Sequence, residues 1–177
     1  MTPMRMGSGK RGAWAGLLAG VGTLGLLEVA VLHFVVGAYA PRVVTAVLDV
    51  VFGVPTVILL LAMASPLWSV QRVDGERLRL RFGWLAALDV PLGIVRTAEP
   101  YRPSVRRPAQ TGLDFADESA TVSLIRSPAS ELVRVEFTEE VPARIQGLRR
   151  VRARSAVVSV DDAAEFCAAI AARRSSK

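Results

Sequence analysis

Two apolar blocks near the amino terminus constrain this chain more than any other feature. From Ala13 to Ala40 the ionisable groups are Glu28, His33 and the Tyr39 phenol, and from Val43 to Trp68 the sole charge is Asp49. Each block exceeds the roughly 20 residues that an α-helix needs to cross about 30 Å of hydrocarbon. Inside a bilayer every backbone N–H and C=O must be paired within its own segment, so both blocks are predicted to be helical. The short Ala40-Pro41-Arg42 connection makes them a tight hairpin. Pro55 is expected to kink the second helix or to lie where a neighbour satisfies the freed carbonyl. Trp14 and Trp68 are expected at one membrane interface and Tyr39 at the other.

This reading divides the 177 residues into a cytoplasmic tail (1–12), a two-helix transmembrane hairpin (13–68) and a cytoplasmic domain (69–177). The side follows from flanking charge. Arg5, Lys10 and Arg11 precede the first span and Arg72, Arg77, Arg79 and Arg81 follow the second, whereas the turn carries Arg42 alone. Basic residues stay inside, so a multi-pass protein of the plasma membrane with both termini cytoplasmic is predicted. Residues 1–40 superficially imitate a cleaved signal peptide ending in Ala38-Tyr39-Ala40. The apolar run is longer than the roughly 7–15 residues of a signal core, Glu28 interrupts it, and a second span follows at once, so no cleavage is expected.

Two phosphate-loop matches carry no chemistry. Gly20-Val21-Gly22-Thr23-Leu24-Gly25 fits a dinucleotide fingerprint but lies inside a span, without the preceding strand that such a loop needs. Gly7-Ser8-Gly9-Lys10 lacks the earlier glycine and the following Ser or Thr. Gly16 and Gly20 have the spacing that lets membrane helices approach closely, either within this hairpin or as the seam of a homo-oligomer. Glu28, His33 and Asp49 are the intramembrane polar set, with Glu28 and Asp49 expected at similar depths. Carboxylates in lipid must face protein or water, become neutral, or pair with His33. They form either a proton- or cation-responsive site or structural contacts within the anchor.

Beyond residue 69 the period changes to two. In Arg77–Phe82 apolar and basic residues alternate strictly, a strand with Leu78, Leu80 and Phe82 inward and the arginines outward. With Val70–Val73 before the Asp74-Gly75 turn it reads as a β-hairpin. Further strands are predicted at 85–90, 94–98, 121–125, 132–138 and 151–160. Pro100–Gly112 reads as a Pro- and Arg-rich loop, and Pro142–Gly147 as a loop or short helical turn. A closing helix is capped by Asp161 or Ser159, ends in Arg173-Arg174, and buries Ala163, Phe166, Cys167 and Ile170 on one side. Cys167 reads as a packing residue, and one cysteine excludes a disulfide scaffold.

The segment Val73-Asp74-Gly75-Glu76 running into Leu78, Leu80 and Phe82-Gly83 directly after a span, then Asp89-Val90-Pro91-Leu92, resembles the start of a bacterial pleckstrin-homology-like domain. Val157–Phe166 resembles that family's last strand and capping helix. Two-span actinobacterial membrane proteins share this order. The resemblance covers roughly residues 69–174. It implies an α+β chain in which the transmembrane hairpin is followed by a bent antiparallel β-sandwich or partly open barrel, plugged by the carboxy-terminal helix, and it brings no catalytic residues.

Basic residues number 22 against 16 acidic ones, a net charge of +6. The bases are almost all arginine, in no stripe interleaved with aromatics, so nucleic-acid binding is not expected. Arg77, Arg79 and Arg81 form one cluster, Arg149, Arg150, Arg152 and Arg154 another, and Arg102, Arg106 and Arg107 lie on the loop. Beneath a cytoplasmic leaflet such charges attract anionic headgroups at about 1 kcal/mol each. Alternatively they are solvated strand faces balanced by Glu136, Glu139, Glu140, Asp161 and Asp162. His33 is the sole histidine and lies in a span, so no soluble catalytic base or zinc set is available. Neither catalysis nor a cofactor nor a metal is expected. Two functions remain: a membrane-tethered interaction module that binds a protein or the inner leaflet, and an accessory subunit of a transport or envelope complex that uses Glu28, His33 and Asp49.

Overall fold

Both apolar blocks are helical. The computed structural model describes residues 4–103 and 110–175. Helix α1 spans Gly12–Tyr39 and α2 spans Arg42–Ala64, running unbroken through Pro55. Both are long and apolar enough to cross a membrane, and their surfaces are almost entirely unburied. The small side of α1 that meets α2 is formed by Gly22, Gly25 and Gly37, which lie against Leu60, Thr56 and Thr45. Gly16 and Gly20 face away, with open space where a side chain would project, so they do not pack the hairpin. A 3₁₀ turn at Ser65–Trp68 ends the anchor.

The remainder is a nine-stranded sheet closed over by one helix. Its strands are β1 (Met4–Gly7), β2 (Val70–Val73), β3 (Arg77–Phe82), β4 (Ala86–Pro91), β5 (Val95–Tyr101), β6 (Gly112–Ala116), β7 (Thr121–Ile125), β8 (Glu131–Ile145) and β9 (Arg149–Val160). The order is β1-β2-β3-β4-β8-β9-β7-β6, with β5 also paired to β8. The long strand β8 makes the bend. Its first half pairs with β5 and its second half with β4, and its register against β9 shifts between Glu136 and Val141. The sheet thereby folds over a single core that includes Leu78, Leu80, Phe82, Val133, Val135 and Val158. Helix α3 (Ala163–Ser175) adds Phe166 and Ile170 to that core, with Cys167 partly buried at its margin.

The α+β class and the inward set Leu78, Leu80 and Phe82 agree with the sequence reading. Several expectations are corrected. The sheet is open and mixed, because β7 and β9 pair in parallel. Residues 4–7 are not mere tail: they form β1, in register with β2 from Met4↔Val73 to Gly7↔Val70. Strand β6 was not anticipated, β5 runs on through Pro100 and Tyr101, and Pro142–Ile145 is strand that turns at Gln146-Gly147, both with positive φ. Arg106 and Arg107 lie outside the described residues. The cap of α3 is Asp162, whose carboxylate accepts from Glu165 N–H at 2.8 Å. Asp161 and Ser159 are engaged by the amino-terminal segment instead.

Candidate functional site

The anchor enters and leaves the sheet through one tightly bonded junction. On the entering side, Ser8 donates to the Ser69 carbonyl at 2.9 Å, its own carbonyl accepts from Ser159 Oγ at 2.7 Å, and Gly9 N–H donates to Asp161 at 3.0 Å. Gly9 has φ +85°, and a side chain there would collide with Ser130. The unassuming Gly7-Ser8-Gly9 run is thus the crossing point of the chain over β9. At its centre lies Arg126, only 3% exposed. Its guanidinium donates to the carbonyls of Gly9, Pro66 (3.2 Å) and Leu67 (3.4 Å), tying both feet of the hairpin to the end of β7. Burial pushes this guanidinium below its ordinary pKa, the charge of Arg11 adds to that, and Asp161 acts against it. Trp14 is likewise buried. It stacks edge-on against Phe82 at 5.1 Å and donates to the Met63 carbonyl at 2.7 Å, so it joins anchor to core rather than facing an aromatic belt. Trp68 and Tyr39 do stand exposed.

On the leaving side the strands splay. β2 and β3 pair only at Arg72↔Arg79 and Val73↔Leu78. Nearer the anchor the buried Gln71 amide fills the gap, accepting from Arg81 N–H at 2.9 Å and donating to the Arg81 carbonyl at 3.2 Å. The β3–β4 turn then docks on the foot of α2, with Trp84 N–H donating to Ser65 Oγ at 2.8 Å. Between splay and foot lies a groove of about 600 Å³, whose lining includes Leu61, Trp68, Arg72, Arg79, Arg81 and Trp84. Both tryptophans are largely exposed, at 69% and 63%.

The groove continues onto an arginine-rich sheet face. In the ladder Arg81 lies beside Ala87, Ala87 beside Arg144, and Arg144 beside Arg150, all on the outer surface. Not every predicted arginine is free there. Arg77 pairs with Asp89 at 3.1 Å, Arg79 with Asp74 at 3.2 Å and more loosely with Asp89, Arg149 with Asp117 at 3.8 Å, and Arg154 with Glu140 at 3.0 Å. Among the described residues, Arg72, Arg81, Arg144, Arg150 and Arg152 have no acidic partner. Arg102 is exposed. Of the acids expected to balance these clusters, Glu140 alone meets one of the arginines named, among the described residues. Leu148, 92% exposed at the β8–β9 tip, projects beside the β3–β4 turn, where Gly147 N–H donates to the Leu85 carbonyl at 3.0 Å.

Within the anchor, His33 Nδ1 and Asp49 meet at 2.8 Å. Glu28 is exposed on α1 and joins neither. It lies five residues from His33, about 7.5 Å along the helix axis, so Asp49 is level with His33 and not with Glu28. Sequence spacing could place His33 near the outer end of its helix but not assign its partner, because the hairpin's offset depends on which glycines α2 meets.

Among the described residues no group of three or more His, Cys, Asp or Glu side chains is arranged to hold a metal ion. The Cys167 thiol is held above its ordinary pKa by burial and, secondarily, by Glu99, so it is a poor nucleophile at neutral pH. Compared with family models, with curated proteins and with solved structures, the chain matches none. What stands is an α+β chain with two helices able to cross a membrane, an open mixed sheet and a carboxy-terminal helix.

Proposed function

We propose that this protein is a non-enzymatic, membrane-tethered interaction module of the plasma membrane, with both termini cytoplasmic, whose pleckstrin-homology-like domain presents an arginine face to the anionic inner leaflet. One observation carries the reading. Arg72, Arg81, Arg144 and Arg150, which have no acidic partner among the described residues, continue directly from the foot of α2, beside exposed Trp68 and Trp84. Tryptophan at the membrane–water boundary and unpaired cations near anionic lipid are each favourable. The bent sheet stopped by a carboxy-terminal helix supports the pleckstrin-homology-like reading, and basic flanks around an uncharged-but-for-Arg42 turn support the orientation.

The test uses the full-length chain in nanodiscs of phosphatidylcholine with or without phosphatidylglycerol. Hydrogen exchange across β4, β8 and β9 should slow in anionic discs, and the protection should vanish at about 0.5 M salt, where the Debye length falls to a few ångströms. Equal exchange in both lipids at low salt would refute leaflet binding and favour a protein partner for the same face. A reporter fused after Lys177 that is active only outside the cell would refute the orientation.

The second reading, an accessory subunit of a transport or envelope complex, is favoured by the half-exposed His33–Asp49 pair and by Glu28, polar groups that lipid does not solvate. It predicts that Asp49→Asn and Glu28→Gln release a co-purifying membrane partner. Unchanged co-purification in both variants removes it.

A further inference from the structure

We infer that the groove between Trp68 and Trp84 holds one anionic phospholipid drawn from the leaflet in which α2 ends, with its phosphate on Arg72 and Arg81. The inference rests on the membrane reading above and deepens it from a charged face to a discrete site. The groove is built from two chemistries in the order a lipid presents them. Leu61, on the last turns of α2, lies at the acyl end, and Arg72 and Arg81 lie at the sheet end, with Ser65 between. Four residues of helix separate Leu61 from Ser65, about 6 Å of depth, so one wall passes from hydrocarbon level to headgroup level. Trp68 and Trp84 flank the entrance as aromatic walls whose indole N–H groups suit the wet boundary.

The charge balance selects the ligand. Arg79 lines the groove but is held by Asp74 and Asp89, whereas Arg72 and Arg81 have no acid within the described residues. Two uncompensated guanidiniums fit a phosphate, which they bind through paired N–H donors. The position of Arg81 is fixed from behind, because Gln71 bonds both its N–H and its carbonyl where the β2–β3 ladder is open. Zwitterionic lipid would bring its own cation into the same space.

Native mass spectrometry of the full-length chain in mild detergent, with added phosphatidylglycerol or phosphatidylcholine, tests the site. The expected result is one phosphatidylglycerol retained per chain, with phosphatidylcholine retained at least tenfold less. The double variant Arg72→Gln/Arg81→Gln should lower retention at least tenfold. The control Arg96→Gln/Arg102→Gln removes the same charge from exposed positions outside the groove and should leave retention unchanged. These side chains reach solvent, so both variants should keep the parental unfolding midpoint. Equal loss in the two variants would overturn a discrete site while leaving the diffuse leaflet contact intact. Retention of both lipids alike would overturn anion selection. Displacement of the lipid by millimolar inorganic phosphate would overturn the lipid assignment in favour of a soluble phosphate ligand.

Discussion

Arg126 is the residue on which the junction depends. A buried guanidinium that serves three backbone carbonyls on two separate segments leaves all three unsatisfied when removed, and each lost partner of that kind costs about 1–3 kcal/mol. Arg126→Met is therefore expected to lower stability by about 3 kcal/mol or more, seen as a fall in the thermal midpoint in detergent and as new proteolysis near Lys10 and Arg11. Arg126→Lys should fall between, because one ammonium cannot span the carbonyls of Gly9, Pro66 and Leu67 together. A midpoint unchanged in Arg126→Met would show that the junction is held elsewhere. Cys167 gives a prediction with a pH sign. Its folded-state pKa is raised, so the folded chain keeps the proton more tightly than the unfolded chain does. The associated stability is intact below the unfolded thiol's pKa of about 8.5 and is lost as pH rises through the folded value. Iodoacetamide should label Cys167 in the folded chain more slowly than in the denatured chain around that pH, and equal rates would contradict the burial argument.

Among the elements, β1 is the least expected and the easiest to test. Four residues, Met-Arg-Met-Gly, carry too little alternation to announce a strand, and they pair only because β2 offers an edge after the hairpin has brought it back. Removing residues 2–7 should expose β2 as a new edge, shorten the life of the domain under trypsin, and promote association through that edge. A truncated chain as protease-resistant as the intact one would make β1 an ornament. The same distinction explains what was legible beforehand. Strands with strict period two and one buried face, such as β3 and the first half of β8, and long apolar helices could be read from local pattern alone. What escaped depends on more than the local apolar pattern: β1 on the distant β2, β6 on pairing with its neighbour β7, the turn at Gln146-Gly147 on left-handed backbone, and the cap of α3 on Asp161 being taken by the distant Gly9. The arginine clusters were legible as charges, but their pairing was not. Nothing in Leu78-Arg79-Leu80-Arg81 says that Asp74 and Asp89 neutralise the first arginine and spare the second. Arg126 gave no signal, since burial of an isolated arginine is a property of the folded junction.

At the scale of the whole molecule, anchor and domain are joined by two chain crossings, a buried arginine and the Trp14–Phe82 contact rather than by a linker. Trp14→Ala should cost about 3–5 kcal/mol, the range for truncating a buried aromatic, and should loosen the domain from the anchor. Fluorescence anisotropy of a dye on the domain, in nanodiscs, would report faster local rotation; unchanged anisotropy with a lowered midpoint would confine the role of Trp14 to core packing. Because these contacts fix the domain against the two helices, the groove beside Trp68 and Trp84 keeps one position relative to the end of α2.

Strands β1 and β2 are neighbours in the sheet, yet the whole helical hairpin is threaded between them, Gly7 beside Val70. The helical pair is in effect the loop of a β-hairpin. On the membrane reading proposed above, the first strand waits during synthesis, unpaired, until both helices have been laid into the bilayer and the chain has come back to the side it left. A chain that crosses only once strands its opening strand on the wrong face and leaves the sheet with a raw edge, so correct insertion and correct folding are read out by the same missing partner.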